Sequence, residues 1–131
     1  MRVRNYTEAD LTTVLRIHAE SGFDYVLPPM DEFFCKRVVD DDEHGIGMVA
    51  LLRHTAEAYL LCKDDWRSPA WKLEAIQKIT HYCNDDAREA GVREAVAFIP
   101  PEVSGVFGRR LQRLGWVPNR QDWKTYSKVV I

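Results

Sequence analysis

The stretch from residue 56 to residue 99 limits the fold more than any other part of the chain. Residues 56–62 form an apolar run about one strand long. Ser68 then offers an N-cap hydroxyl, and Pro69 suits a first helical position, where no backbone donor is needed. Leu73, Ile76, Ile79, Cys83, Ala87 and Ala90 recur three or four apart as one apolar stripe, and Gly91 ends it. Residues 95–99 are short and nearly wholly apolar, as a strand covered on both faces would be, and Pro100-Pro101 closes them. Strand, helix, strand in that order is a βαβ crossover, which calls for two parallel strands in one sheet.

Around this unit the chain supplies further elements. Arg2 to Tyr6 reads as a strand, and Thr7-Glu8-Ala9-Asp10 as a capping-box helix start with Asp10 at the third position. Leu11, Val14, Leu15 and His18 have helical spacing, with Gly22 as terminator. Pro28-Pro29 marks a loop, and Asp31 caps an expected second helix through Phe34 and Val38. Residues 46–52 are an apolar strand, paired in a hairpin with residues 56–62 through a turn at Arg53-His54-Thr55. Val103, Val106 or Phe107, Leu111 and Leu114 make a last amphipathic helix stopped by Gly115, and residues 123–130 a closing strand. The expected class is α+β (α/β), in the order β-α-α-β-β-α-β-α-β, as one domain over residues 1–131.

Composition narrows the function classes. In 131 residues, 46% are hydrophobic and 29% charged, the mixture of a globular domain, and a net charge of −2 makes no case for nucleic acid. No apolar run approaches the roughly 20 residues a membrane span needs, and the start lacks a signal peptide's apolar segment. Cys35, Cys62 and Cys83 are odd in number and widely spaced, without metal-ligand spacing. Cys62 and Cys83 read as small buried hydrophobes in a reducing compartment, so a cytoplasmic protein is expected. The acidic run from Asp40 to Glu43, with His44 and Gly45, lacks EF-hand spacing and reads as a solvated loop. His18, His44, His54 and His81 form no triad pattern, and His18 reads as a satisfied core histidine. Arg109, Arg110 and Arg113, with Arg120 nearby, read as a solvated helix face.

The opening Val3-Arg4-Asn5-Tyr6-Thr7-Glu8-Ala9-Asp10-Leu11, the ending Arg110-Leu111-Gln112-Arg113-Leu114-Gly115-Trp116 and the strand–loop–helix unit between them together resemble the GNAT superfamily of N-acetyltransferases. The resemblance covers almost the whole chain and rests on the order of the three pieces. It implies a mixed sheet flanked by helices, with acetyl-CoA as co-substrate held at residues 61–72. In the family a Gly-rich loop and the following helix start cradle the pyrophosphate through free backbone N–H groups. The matching stretch here is Arg67-Ser68-Pro69-Ala70-Trp71-Lys72. Arg67 fits the first position and Ala70 replaces the first Gly. Lys72 replaces the last small residue, and Pro69 removes a donor.

Leu61, Cys62, Lys63, Arg67, Ser68, Ala70, Trp71 and Lys72 are the co-substrate residues the resemblance implies, with Lys63, Arg67 and Lys72 attracting the anion. Glu57 falls near the family's general base, and its bland reading is an outward-facing strand residue. The family's usual thiolate acid, a Tyr, is matched by Leu111, which has no proton to give; Tyr59, Tyr126 or a water could act instead. Trp66 and Trp71 flank the loop and either stack on a ligand or plug the cleft. The acceptor, a small-molecule or peptide amine, would meet residues 21–40, where Asp24 in Gly22-Phe23-Asp24-Tyr25 could attract a cation. A homodimer is compatible with this reading. Three functions stand: an N-acetyltransferase, a catalytically inactive GNAT-like binding or structural protein such as a phage-type accessory protein, or a module for another phosphorylated small molecule.

Overall fold

Over its described residues the chain is a mixed α+β protein with three α-helices and two small sheets. The computed structural model describes residues 1–119 and 122–130. Its elements are β1 (Arg2–Asn5), α1 (Leu11–Glu20), β2 (Phe33–Asp41), β3 (Gly45–Arg53), β4 (Ala56–Ala58), α2 (Pro69–Glu89), β5 (Ala95–Ala97) and α3 (Pro101–Arg113). Two compact units share them. One comprises Met1–Ala56 with Ala87–Ala95, the other Glu57–Asp86 with the described residues from Val96 onward.

The first unit holds an antiparallel sheet in the order β1-β2-β3. Its central strand is where the sequence reading fails most clearly. Phe34 and Val38 are four apart, which mimics a helix, yet this segment is β2. Val38 stands opposite Arg4 on one side and Val49 on the other, so the segment is held between two ladders. Its side chain is 0% exposed and, with Val14 and Phe33, forms the buried apolar core. Tertiary pairing of β-branched residues outweighs the local helical spacing. The expected hairpin is corrected too: β3 pairs with β2, not with residues 56–62. The acidic run is its turn, in which Asp41 Oδ1 accepts the backbone N–H groups of Glu43 and His44.

An ion-pair network ties this sheet to α1. Arg2 stands opposite Asp40 across the β1–β2 ladder, with Nε 2.9 Å from Oδ1. Arg4 places Nε 2.7 Å from the other oxygen of Asp40 and also grips Asp10 bidentately, at 2.8 and 3.0 Å. Asp10 ends a short 3-10 turn, Glu8–Asp10, and accepts the Thr7 N–H at 2.8 Å, so the expected capping box exists. Both carboxylates are buried, and the Arg4 guanidinium holds each of them below the usual carboxylate range.

In the other region β4 and β5 are hydrogen-bonded neighbours joined through α2. Both are shorter than their apolar runs: residues 59–62 and 98–99 lie outside strands, and Phe98 is exposed. Alternating or apolar composition without a flanking ladder is not enough to hold a strand. For the same reason residues 123–130 take no regular structure, in place of the expected closing strand. The observed order is β-α-β-β-β-α-β-α. Helix ends follow the sequence: Val92 N–H bonds the Ala87 carbonyl at 2.9 Å across Gly91, and Trp116 bonds Leu111 at 3.0 Å across Gly115. Both glycines have positive φ, 74° and 96°, as a helix C-cap of this type requires. No helix among the described residues is long and apolar enough to cross a membrane.

Candidate functional site

The residues singled out in the sequence lie together along residues 57–72. β4 carries Glu57, which is exposed, and one residue past the strand Tyr59 donates its hydroxyl to Glu57 Oε1 at 2.5 Å. That hydrogen bond, then the carboxylate's charge, raises the Tyr59 pKa above its ordinary value. Glu57 is therefore a paired carboxylate, a partnership that rests on how the chain turns after Ala58.

The chain then runs through an exposed loop into α2. Leu61 and Cys62 sit in this loop in solvent, which corrects the reading of Cys62 as a buried strand residue; Cys83, on α2, is exposed as well, because the apolar stripe of that helix is not buried. Trp66 N–H bonds the Lys63 carbonyl at 3.2 Å, a turn that brings the loop round to Arg67. Arg67 has φ 57°, the left-handed region that side chains usually avoid. Ser68 caps the helix as expected: its Oγ accepts the Trp71 N–H at 3.4 Å, and its carbonyl accepts the Lys72 N–H at 3.0 Å. Pro69 is the first helical residue, with Ala70 next.

Each of the three cations has a partner inside the loop. The Arg67 guanidinium lies over the Trp71 ring, 4.0 Å from its centroid. Lys72 Nζ donates to the Asp64 carbonyl at 2.8 Å. Lys63 Nζ stands 3.8 Å from Asp65, an exposed pair of small energetic weight. Sequence reasoning counted Lys63, Arg67 and Lys72 and passed over Asp65, whose carboxylate pairs with Lys63, and the Asp64 carbonyl that accepts from Lys72. The positive φ at Arg67 had no sequence signal, since glycine is the residue that announces it.

Other candidates stand apart from this loop. Leu111 is half-buried and has no proton to give; Tyr126 is exposed, in irregular chain. Phe23 and Tyr25 stack at 5.6 Å, and His18 lies 4.8 Å from the Tyr25 ring; Asp24 is exposed beside them. The reading of His18 as a satisfied core histidine is corrected: its Nε2 is buried with no hydrogen-bond partner among the described residues. His54 stacks on Phe34 at 4.4 Å, and His44 sits 3.3 Å from Asp41. Arg109, Arg110 and Arg113 are exposed on α3, whereas Arg120 lies outside the described residues. Among the described residues no three His, Cys, Asp or Glu side chains are grouped to hold a metal ion.

No family model, curated protein or solved structure matches this chain.

Proposed function

We propose that the chain is a GNAT-type N-acetyltransferase that transfers the acetyl group of acetyl-CoA to an amine of a small molecule or peptide. The observation that carries this reading is the hydrogen-bonded Glu57–Tyr59 pair, which joins the base expected from the resemblance to a hydroxyl able to replace the missing tyrosine. Beside it in sequence stands a helix start bearing Arg67 and Lys72. In the reaction the amine nitrogen attacks the thioester carbonyl carbon and the carbon–sulfur bond breaks. Glu57 accepts the proton lost by nitrogen. Protonated, it no longer holds the Tyr59 hydroxyl as an anion does, which frees that proton for the leaving thiolate, and the Glu57 proton then passes to the Tyr59 oxygen along the same hydrogen bond.

A second reading, a GNAT-like binding or structural protein without catalysis, is favoured by one feature. The donors at the start of α2 are already engaged: Lys72 with the Asp64 carbonyl, Arg67 with Trp71, and the Trp71 N–H with Ser68. A pyrophosphate would have to displace these contacts.

Calorimetric titration with acetyl-CoA separates the two. The enzyme reading expects binding at or below roughly 100 μM, about −5.5 kcal/mol, lost in Lys72→Glu, together with thiol release in the presence of an amine that Glu57→Gln abolishes. Binding without thiol release over an amine panel supports the scaffold. No binding at millimolar acetyl-CoA removes the enzyme reading.

A further inference from the structure

α2 is apolar along one stripe, and its other faces are mostly charged, with Glu74, Lys78, Asp85, Asp86, Arg88 and Glu89 among its residues. One row differs from both. Gln77, Thr80, His81 and Asn84 recur at helical spacing, side by side on one face, and none is an acid, a lysine or an arginine. A face left simply to solvent would be expected to share the charge of its neighbours. Instead these four side chains line one wall of a groove of about 400 Å³, whose other wall is Arg113 and Leu114 at the end of α3. The helix dipole accounts for a cation in the last turn of α3, but it does not account for a guanidinium facing a row of neutral hydrogen-bonding groups.

We infer that this groove binds a compact oxyanion, the phosphate or carboxylate group of a small polar molecule, with Arg113 as its charge partner. No side-chain hydrogen bond or ion pair engages Gln77, Thr80, Asn84 or Arg113 among the described residues, so their donors remain available. The guanidinium presents a planar fork suited to two oxygens of one anion. Gln77 and Asn84 each add an amide N–H pair, Thr80 a hydroxyl, and Leu114 apolar surface beside Arg113. No carboxylate lines the groove to repel the anion. The volume falls in the range of small-ligand sites. This site is independent of the loop at residues 61–72, so acetyl-CoA binding and oxyanion binding succeed or fail separately.

The test is a nitrogen–proton NMR titration of the full chain in a zwitterionic buffer at fixed ionic strength. One arm uses inorganic phosphate and a second uses acetate. Saturable shifts of the Gln77 and Asn84 side-chain amides and of Arg113 Nε–H are expected, half-complete below roughly 5 mM, about −3 kcal/mol. Arg113→Ala should weaken binding at least about tenfold, whereas Arg109→Ala, on the same helix but not in the groove, should change it less than about twofold. Asn84→Asp places a carboxylate in the groove without truncating a side chain and should abolish saturation. Saturation by phosphate alone assigns a phosphate ester, and saturation by acetate a carboxylate. Shifts that stay linear in both arms, or equal weakening by Arg113→Ala and Arg109→Ala, overturn the site.

Discussion

The two units differ in what they do with their side chains. In Met1–Ala56 with Ala87–Ala95, every buried residue of the described chain is found: Asp10, Val14, Phe33, Val38 and Asp40. The buried acids there are answered by Arg4 and Arg2, and Arg53 joins Glu32 to Glu94 at 3.6 and 2.8 Å. In the other unit no described residue is buried, and the apolar stripes of α2 and α3 leave Leu73, Ile79, Val103 and Val106 exposed. Yet that unit carries Glu57, Tyr59, the loop into α2 and the groove beside Arg113. The residues that hold a structure together and those that present chemistry are thus separated along the chain, and binding segments are commonly drawn from the less tightly held part of a molecule.

The sharpest way to break this contrast is to truncate a side chain on each side of it. Val38→Ala should cost about 2–3 kcal/mol, since it removes two methyl groups from a closed site between two ladders. Leu61→Ala, at a position 94% exposed, should stay within about 0.5 kcal/mol. Urea unfolding followed by circular dichroism reads both. Comparable losses at the two positions would mean that the loop is held as firmly as the sheet.

Acid tests the same contrast through charge. The folded-state pKa of Asp10 is depressed, by its hydrogen bonds to Arg4 and then to Thr7 N–H, and that of Asp40 by Arg4 and Arg2. A depressed carboxylate binds its proton less readily folded than unfolded, so the stabilisation is complete above the unfolded value near 4 and is lost as pH falls below it. The urea midpoint of the sheet unit should therefore hold between about pH 5 and 7 and drop below about pH 4. In Asp10→Asn the drop should be shallower. An unchanged acid profile in that variant would show that the Arg4–Asp10 pair contributes nothing to folding.

What could be read from the sequence follows the same division, for physical reasons. Helices with strong local signals were legible: Ser68-Pro69 starts α2, Gly91 and Gly115 end α2 and α3, and Thr7 with Asp10 forms the capping box. These depend on residues within a few positions of one another. β2 was not legible, because what makes it a strand is Arg4 on one side and Val49 on the other, both distant in sequence. The lengths of β4 and β5 were overestimated on apolar composition, which does not say whether a ladder continues. At the candidate site, the positions of Glu57, Arg67 and Lys72 were legible, but their partners Tyr59, Trp71 and Asp64 depend on how the loop turns, and a left-handed arginine leaves no trace in composition.

The helix ends give a smaller and more local comparison. Gly115→Ala places a Cβ in open space but at φ 96°, so its cost is conformational alone, about 1 kcal/mol. Thermal unfolding read by helical circular dichroism should show the loss. No loss would mean that the end of α3 frays and contributes little.

Arg67 sets two effects of similar size against each other. Its stack on Trp71 is an exposed cation–π contact, favourable by about 0.5–1 kcal/mol, while its left-handed backbone costs about 1 kcal/mol. Arg67→Ala keeps the backbone cost and loses the stack, so the start of α2 should weaken by about 0.5–1 kcal/mol. Arg67→Gly loses the stack but removes the backbone cost, and the net change should lie within about 0.5 kcal/mol of zero. Helical circular dichroism during urea unfolding reports on both. If glycine destabilises as much as alanine, the left-handed turn is not held in solution, and the loop is looser than its contacts with Trp71 and Asp64 imply.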